Sequence, residues 1–295
     1  MLEAIRRFFA GIFGFESPVQ STSGGPEDGS DIREETIIHI EKNPATEHRS
    51  RGVGLEITEV IETDGDGSHS ESPLFEISHP RFLWCLDNGH GKLQEGKRSP
   101  LFEDGSRFEE WEFNRDIVRR IMEKLDVCGV QYYNVVPEVE IDAFTTGRAQ
   151  RANEKVSPLG LPKIFLSVHA NAFGMSTWAD GITGIEVWHY PGSNAGMRLA
   201  SVFQRELMKK LPDWVDRGIK SHKPNSSQIF TVLRVPQMPT VLTENGFYTD
   251  RNQARSLMTA ETRQKIADAH VAAILQVEKD GYDAIPIYRP NMVIG

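Results

Sequence analysis

His90, Glu110, His169 and Glu244 are the residues of this chain whose types and settings could do chemistry. Three of them stand where an apolar run stops. FLWCLD (82–87) runs into NGHG, which pins His90 between two glycines. KIFLSVH (163–169) ends on His169, and PTVLTE (239–244) ends on Glu244 just before Asn245 and Gly246. Singly, each has an ordinary explanation: a strand-end histidine is hydrogen-bonded and a strand-end glutamate caps the next helix. Together, three buried strands that aim a His, a His and a Glu at one rim indicate a metal site. Two imidazoles and a carboxylate are a common zinc set that leaves one position open for water.

Such a site needs a third protein ligand, and FEEWEFNRDIVRRIMEKL (108–125) offers three candidates, Glu109, Glu110 and Glu112. Steps of three and four place Glu110 in line with Asn114, Ile117, Ile121 and Leu125, the apolar stripe, whereas Glu112 lines up with Asp116, Arg119 and Glu123. A carboxylate at the end of an apolar stripe is expensive unless paired or bound to metal. Glu110 is therefore the expected ligand, with Glu109 and Glu112 exposed.

The elements that must hold these residues read as an alternation of strands and helices from Arg81 onward. Short apolar runs mark strands at 82–87, 130–136, 163–169, 184–190 and 239–244, and helices are expected near 108–127, 145–155, 194–211 and 251–278. The alternation predicts an α/β domain with a mostly parallel sheet and helices on both faces. In such sheets ligands lie beyond the carboxyl ends of the strands.

LDNGHGKLQEGKRSP, EEWEFNRDI, FLSVHANAFG and TVLTENGFYTD resemble, in order and spacing, the signature segments of the zinc-dependent N-acetylmuramoyl-L-alanine amidases. The resemblance runs from about Arg81 to about Lys279. It implies a mixed sheet of about six strands with flanking helices, Zn2+ bound by His90, Glu110 and His169, and Glu244 as the catalytic carboxylate. The implied reaction is hydrolysis of the amide between N-acetylmuramic acid and L-alanine in peptidoglycan. GRAQRAN and RGIKSHKPNSSQIFTVLRVPQMP resemble further stretches of the family. Two other readings stay open: a zinc carboxypeptidase acting on wall peptides, and a peptidoglycan-binding module without turnover. The first His and Glu lie twenty residues apart, not in a local H-x-x-E pair, and all four chemical positions are filled.

Asn171 and Arg234 are candidates for holding substrate or a developing oxyanion, and His189, at the end of GIEVWH, for lining the groove. Lys97-Arg98 reads as a solvated turn or as a clamp for peptide carboxylates. His79, His222 and His270 read as surface residues, and Trp84, Trp111 and Trp188 as core. Cys85 and Cys128 lack C-x-x-C spacing and read as two buried thiols.

Charge marks a boundary. Residues 1–80 carry 16 Asp and Glu against 6 Lys and Arg, a net charge of −10, so with −9 for the whole chain the remaining 215 residues come to +1. Segments such as STSGGPEDGSDIREE and ETDGDGSHSESP bury too little apolar surface to offset ordering entropy. The expected organisation is an acidic, largely unpacked extension (1–78), a catalytic domain (79–282) and a tail (283–295). A near-neutral catalytic region without a basic patch argues against nucleic acid as a partner. No apolar run approaches the roughly 18 residues of a membrane span. MLEAIRRFFAGIFGF follows Arg6-Arg7 with a short apolar stretch, as a stunted signal peptide would, but its Glu3 in the basic region and the lack of an evident small-residue cleavage site favour a short amphipathic segment, with secretion as the alternative reading. The expectation is a monomer made in the cytoplasm that acts at the cell wall or in the periplasm, of phage or bacterial origin.

Overall fold

The computed structural model describes residues 58–63, 69–74, 77–140, 145–174 and 177–290. The expectations for residues 1–57 and for the last five residues lie outside these. Within the acidic quarter, β1 (Thr58–Thr63) and β2 (His69–Leu74) pair antiparallel, Thr58 opposite Leu74 and Thr63 opposite His69.

The second sheet is built from β3 (Leu83–Asn88), β4 (Tyr132–Asn134), β5 (Lys163–Asn171), β6 (Ile185–His189), β7 (Asp216–Lys220) and β8 (Thr240–Phe247). Their order is β4-β3-β5-β8-β6-β7. Every neighbouring pair is parallel except β6 with β8, so the sheet is mostly parallel, as the alternation of elements predicts, and mixed, as the family resemblance implies. The helices are α1 (Glu110–Cys128), α2 (Thr145–Glu154), α3 (Asn194–Lys210), α4 (Thr231–Arg234), α5 (Arg251–Leu257) and α6 (Ala260–Asp280).

Strand register divides the chemistry between two faces. Asp87 lies opposite Ser167, His169 opposite Glu244, and Glu244 opposite Glu186, so with a period of two these residues share one face. Lower on that face Cys85, Phe165 and Leu242 pack with Ala152 of α2 and with Val232 and Leu233 of α4. The other face carries Trp84, Leu86, Val168, Val241 and Thr243, all buried beneath the longer helices. Trp84 meets Phe203 of α3 edge-on at 6.2 Å and donates to Glu278 of α6 at 2.7 Å. Arg263 of α6 bridges to Glu112 and Asp116 of α1 at 3.2 and 3.3 Å, which ties these two helices together.

The expected helix at 251–278 is two helices. Thr259 adopts an extended conformation and its hydroxyl accepts from the Thr262 amide, capping α6 and ending the run from α5. β7, with the sequence DRGIK, has no apolar run and was not expected from the sequence; it is held by pairing with β6. The packed body also continues past residue 282. Ile285 is 1% exposed, and the Tyr288 hydroxyl donates to Asp216 at 2.7 Å.

Candidate metal centre and catalytic cleft

His90 reaches the site through backbone shape. β3 ends at Asn88, and His90 then takes φ 64°, a left-handed conformation uncommon outside glycine. The preceding position must be glycine for a different reason. A Cβ on Gly89 would stand 2.1 Å from Cε1 of His169, closer than any real contact. The glycine lets the two imidazoles approach, with ring centroids 4.8 Å apart at 82°.

Glu110 opens α1 and is 2% exposed. Its Oε1 lies 3.3 Å from Nε2 of His90 and 3.1 Å from Nδ1 of His169, and it accepts from the Ala170 amide at 3.2 Å. Burial opposes charge on this carboxyl, but the two imidazoles and their hydrogen bonds outweigh it and hold it well below the usual carboxylate range. Burial pushes His169 down, toward the neutral form that can ligate a metal. Ligand atoms from His90, Glu110 and His169 all lie within 4.8 Å of one another.

Surrounding groups fix these three. Oε1 of Gln94 accepts from Nδ1 of His90 at 2.5 Å, which leaves Nε2 to face the centre. Asn114 donates to the Gly89 carbonyl at 2.9 Å, Arg115 to that of His90 at 2.6 Å, and Asn245 to that of His169 at 2.9 Å. Below His169, the buried Arg148 donates to Asp87 at 2.6 Å and to the Asn88 carbonyl at 2.8 Å, clamping the end of β3.

The site opens into a cleft of about 590 Å³ whose walls include Lys97, Arg148, Asn171, Phe230, Glu244 and Tyr248. Among the described residues, Oε2 of Glu244 is buried with no hydrogen-bond partner. Its carboxyl is raised well above the usual range, first by burial and then by the charges of Glu110 and Glu186, with Lys97 opposing. Glu186 is itself satisfied: it accepts from Asn171 at 2.9 Å, Trp188 at 3.0 Å and Arg217 at 2.7 Å. Tyr248 stacks on Phe108 at 5.4 Å and forms a rigid wall beside Glu110.

The structure thus brings His90, Glu110, His169 and Glu244 to one cleft and places Asn171 on its wall. Two expected substrate residues are elsewhere. Arg234 is exposed at the end of α4, and the lining comes instead from residues 228–232. His189 lies on the opposite face of the sheet, 8% exposed, with Nδ1 bonded to the Tyr190 carbonyl. The antiparallel pairing that sets Glu186 across from Glu244 turns His189, three residues on, away from the cleft. His270 is fully buried and not a surface residue, and His222 packs between Trp188 and Phe230 at 4.7 and 4.8 Å. Of the three tryptophans expected in the core, Trp84 is fully buried, while Trp111 and Trp188 are half-buried.

Residues 85–276 match the N-acetylmuramoyl-L-alanine amidase family, Amidase_3. The chain belongs to that family. Among amidase relatives, the N-acetylmuramoyl-L-alanine amidase CwlM of Bacillus licheniformis is 34% identical over 125 residues, 42% of this chain and 44% of that protein. The endolysin of Bacillus phage SPP1 is 27% identical over 216 residues, 70% of each chain. The crystal structure of an N-acetylmuramoyl-L-alanine amidase from Clostridium difficile 630 superposes with a TM-score of 0.53 at 25% identity, over 68% of this chain and 97% of that one. Against this amidase fold, Gln94, Arg148, Glu186 and Tyr248 are the site residues that sequence reasoning did not single out. Asn114 carried a signal, since it falls in the apolar stripe directly after Glu110.

Proposed function

We propose that this chain hydrolyses the amide bond joining N-acetylmuramic acid to L-alanine in peptidoglycan, using one zinc ion held by His90, Glu110 and His169. The observation that carries this reading is the meeting of those three side chains, in one cleft of a chain of this family, with a Glu244 carboxyl whose Oε2 has no partner among the described residues. The donor set suits zinc: two nitrogens and one carboxylate oxygen, with the His90 tautomer fixed by Gln94. Zinc, when bound, supplies Lewis acidity that polarises an amide carbonyl and makes water acidic enough to ionise near neutral pH.

The remaining steps fall to the chain. Glu244 removes the proton of the attacking water and delivers it to the departing nitrogen of L-alanine. Its burial favours proton uptake, and the lack of a competing partner leaves Oε2 free to carry that proton. Glu186 holds Asn171 in the wall, and Tyr248 with Phe108 screens Glu110 from bulk water. In this proposal the hydrolytic unit begins near Ile77, and residues 1–76 are dispensable for the reaction.

Incubation with purified peptidoglycan tests the reading. New L-alanine amino termini are expected with no increase in reducing sugar, and a chain lacking residues 1–76 should give the same products. Release of free D-alanine would establish a carboxypeptidase instead, and binding to sacculi without any product would establish a non-catalytic module.

A further inference from the structure

Lys97 is fixed at its backbone and free at its tip. Its carbonyl accepts from the Glu110 amide at 3.0 Å, and the adjacent Arg98 pairs with Glu109 in an antiparallel bridge. The loop 97–109 then closes on itself: the Ser99 amide donates to the Phe108 carbonyl at 3.0 Å and the Phe102 amide to the Ser106 carbonyl at 2.9 Å. Its tip is anchored to α5, where Arg255 donates to Asp104 at 2.7 Å and to Ser106 at 2.9 Å and lies 3.7 Å from the Phe102 ring centroid. The base of Lys97 is therefore held against the first turn of α1, the turn that carries Glu110.

The side chain lines the cleft together with Glu110 and Glu244. Among the described residues its ammonium has no hydrogen bond or ion pair, whereas the other cation of the wall, Arg148, is bound by Asp87. An ordered loop that delivers an unpaired cation to a mostly acidic cleft, next to the residues that would cut the substrate, points to an anionic group on the substrate itself. On the amidase reading, which this inference rests on, peptidoglycan offers one at the right place. The stem residue after L-alanine is a γ-linked D-glutamate, and unless amidated it keeps a free α-carboxylate one residue from the scissile bond.

We propose that Lys97 forms a carboxylate subsite in the cleft, binding the free α-carboxylate of the residue that follows L-alanine and so discriminating acid from amidated stem peptides. An ammonium–carboxylate pair within a partly desolvated cleft is a charge-assisted contact, and a neutral carboxamide cannot replace it in full. The lysine thus acts on which wall chemistry the enzyme accepts, separately from the proton transfer assigned to Glu244.

The test compares two soluble substrates, N-acetylmuramoyl-L-alanyl-D-glutamate and its D-isoglutamine counterpart, with the full-length zinc-loaded protein. The wild type should favour the acid in kcat/KM by about tenfold or more, in line with one charge-assisted contact. In Lys97→Met that ratio should fall to near one through a rise in KM for the acid, and Lys97→Arg should restore most of it. A ratio that is the same in wild type and Lys97→Met overturns the subsite. An equal fall in kcat on both substrates also overturns it and assigns the ammonium to the reacting carbonyl. If the wild type cleaves neither substrate, the amidase reading fails and takes the subsite with it; cleavage of both with a ratio indifferent to residue 97 removes the subsite alone.

Discussion

Each side of the sheet has a glutamate and a histidine, and treats them in opposite ways. On the helix-packed face, His270 has both ring nitrogens engaged, Nδ1 donating to the Ile266 carbonyl at 2.7 Å and Nε2 accepting from the Thr243 hydroxyl at 3.0 Å. Glu278 there accepts from the Arg81 amide at 2.6 Å and the Trp84 indole at 2.7 Å. On the cleft face, His169 and Glu244 stand side by side on β5 and β8. Nδ1 of His169 faces Glu110, and Oε2 of Glu244 has no hydrogen-bond partner among the described residues. The same residue types are saturated on α6, where they build the core, whereas in the cleft His169 is turned to Glu110 and the Glu244 oxygen is left unsatisfied, the pattern expected of a functional site. The faces are also connected. The Asn245 amide donates both to the Thr243 hydroxyl at 3.1 Å and to the His169 carbonyl at 2.9 Å, so the packing of His270 bears on the backbone of a proposed zinc ligand.

Substitutions on the two faces should therefore separate stability from metal binding. The largest effect is expected from Trp84→Ala, which removes a fully buried indole and strips a donor from Glu278. A loss of about 3–5 kcal/mol in urea unfolding is expected, with zinc stoichiometry of the folded fraction unchanged. Loss of zinc without loss of stability would break the division between faces.

His270 sets an acid limit. Burial pushes its imidazole down from 6.5 to about 4, with the Ile266 carbonyl partly offsetting it. Because the folded value lies below the unfolded one, the unfolded chain takes up the proton first. The stabilisation is complete above about pH 6.5 and is lost as pH falls through about 4. A displacement of this size is worth on the order of 3 kcal/mol. Metal-free wild type should lose more stability than His270→Gln across that window, and parallel curves for the two proteins would contradict the assignment.

The smallest effect belongs to the outer layer of the cleft. Gln94→Ala frees the His90 ring to rotate and exchange tautomers, so zinc affinity should drop about 10–100-fold, read by competition with a chelator. Unfolding of the metal-free protein should move by less than about 0.5 kcal/mol. An unchanged affinity would mean that His90 is oriented by its backbone alone.

How much of this was legible in the sequence follows from the same contrast. The buried strands announced themselves because FLWCLD, KIFLSVH and PTVLTE are apolar runs that end abruptly, and the residues at those ends do meet. Glu110 was legible through the helix period, which also marks Asn114. β7 was not, since DRGIK draws its order from pairing with β6 and not from apolar content. The face of His189 was not legible either. Pleat alternation needs a register, and the register of β6 comes from its antiparallel partner β8, some fifty residues away in the chain. Gln94, Glu186 and Tyr248 are ordinary polar residues in the sequence, and only the closing of the fold brings them around the cleft.

A paired assay of zinc content and turnover on Glu110→Gln, Glu112→Gln and Glu244→Gln weighs the proposed division of labour in the cleft. Glu112 is the internal control, because it sits on the outer face of α1 paired with Arg263. Glu244→Gln is expected to hold one zinc per chain while losing about a hundredfold or more in rate, as removal of a general base requires. Glu110→Gln should lose the metal and the activity together, and Glu112→Gln should keep both. Intact turnover in Glu244→Gln, or full zinc occupancy in Glu110→Gln, would contradict the mechanism.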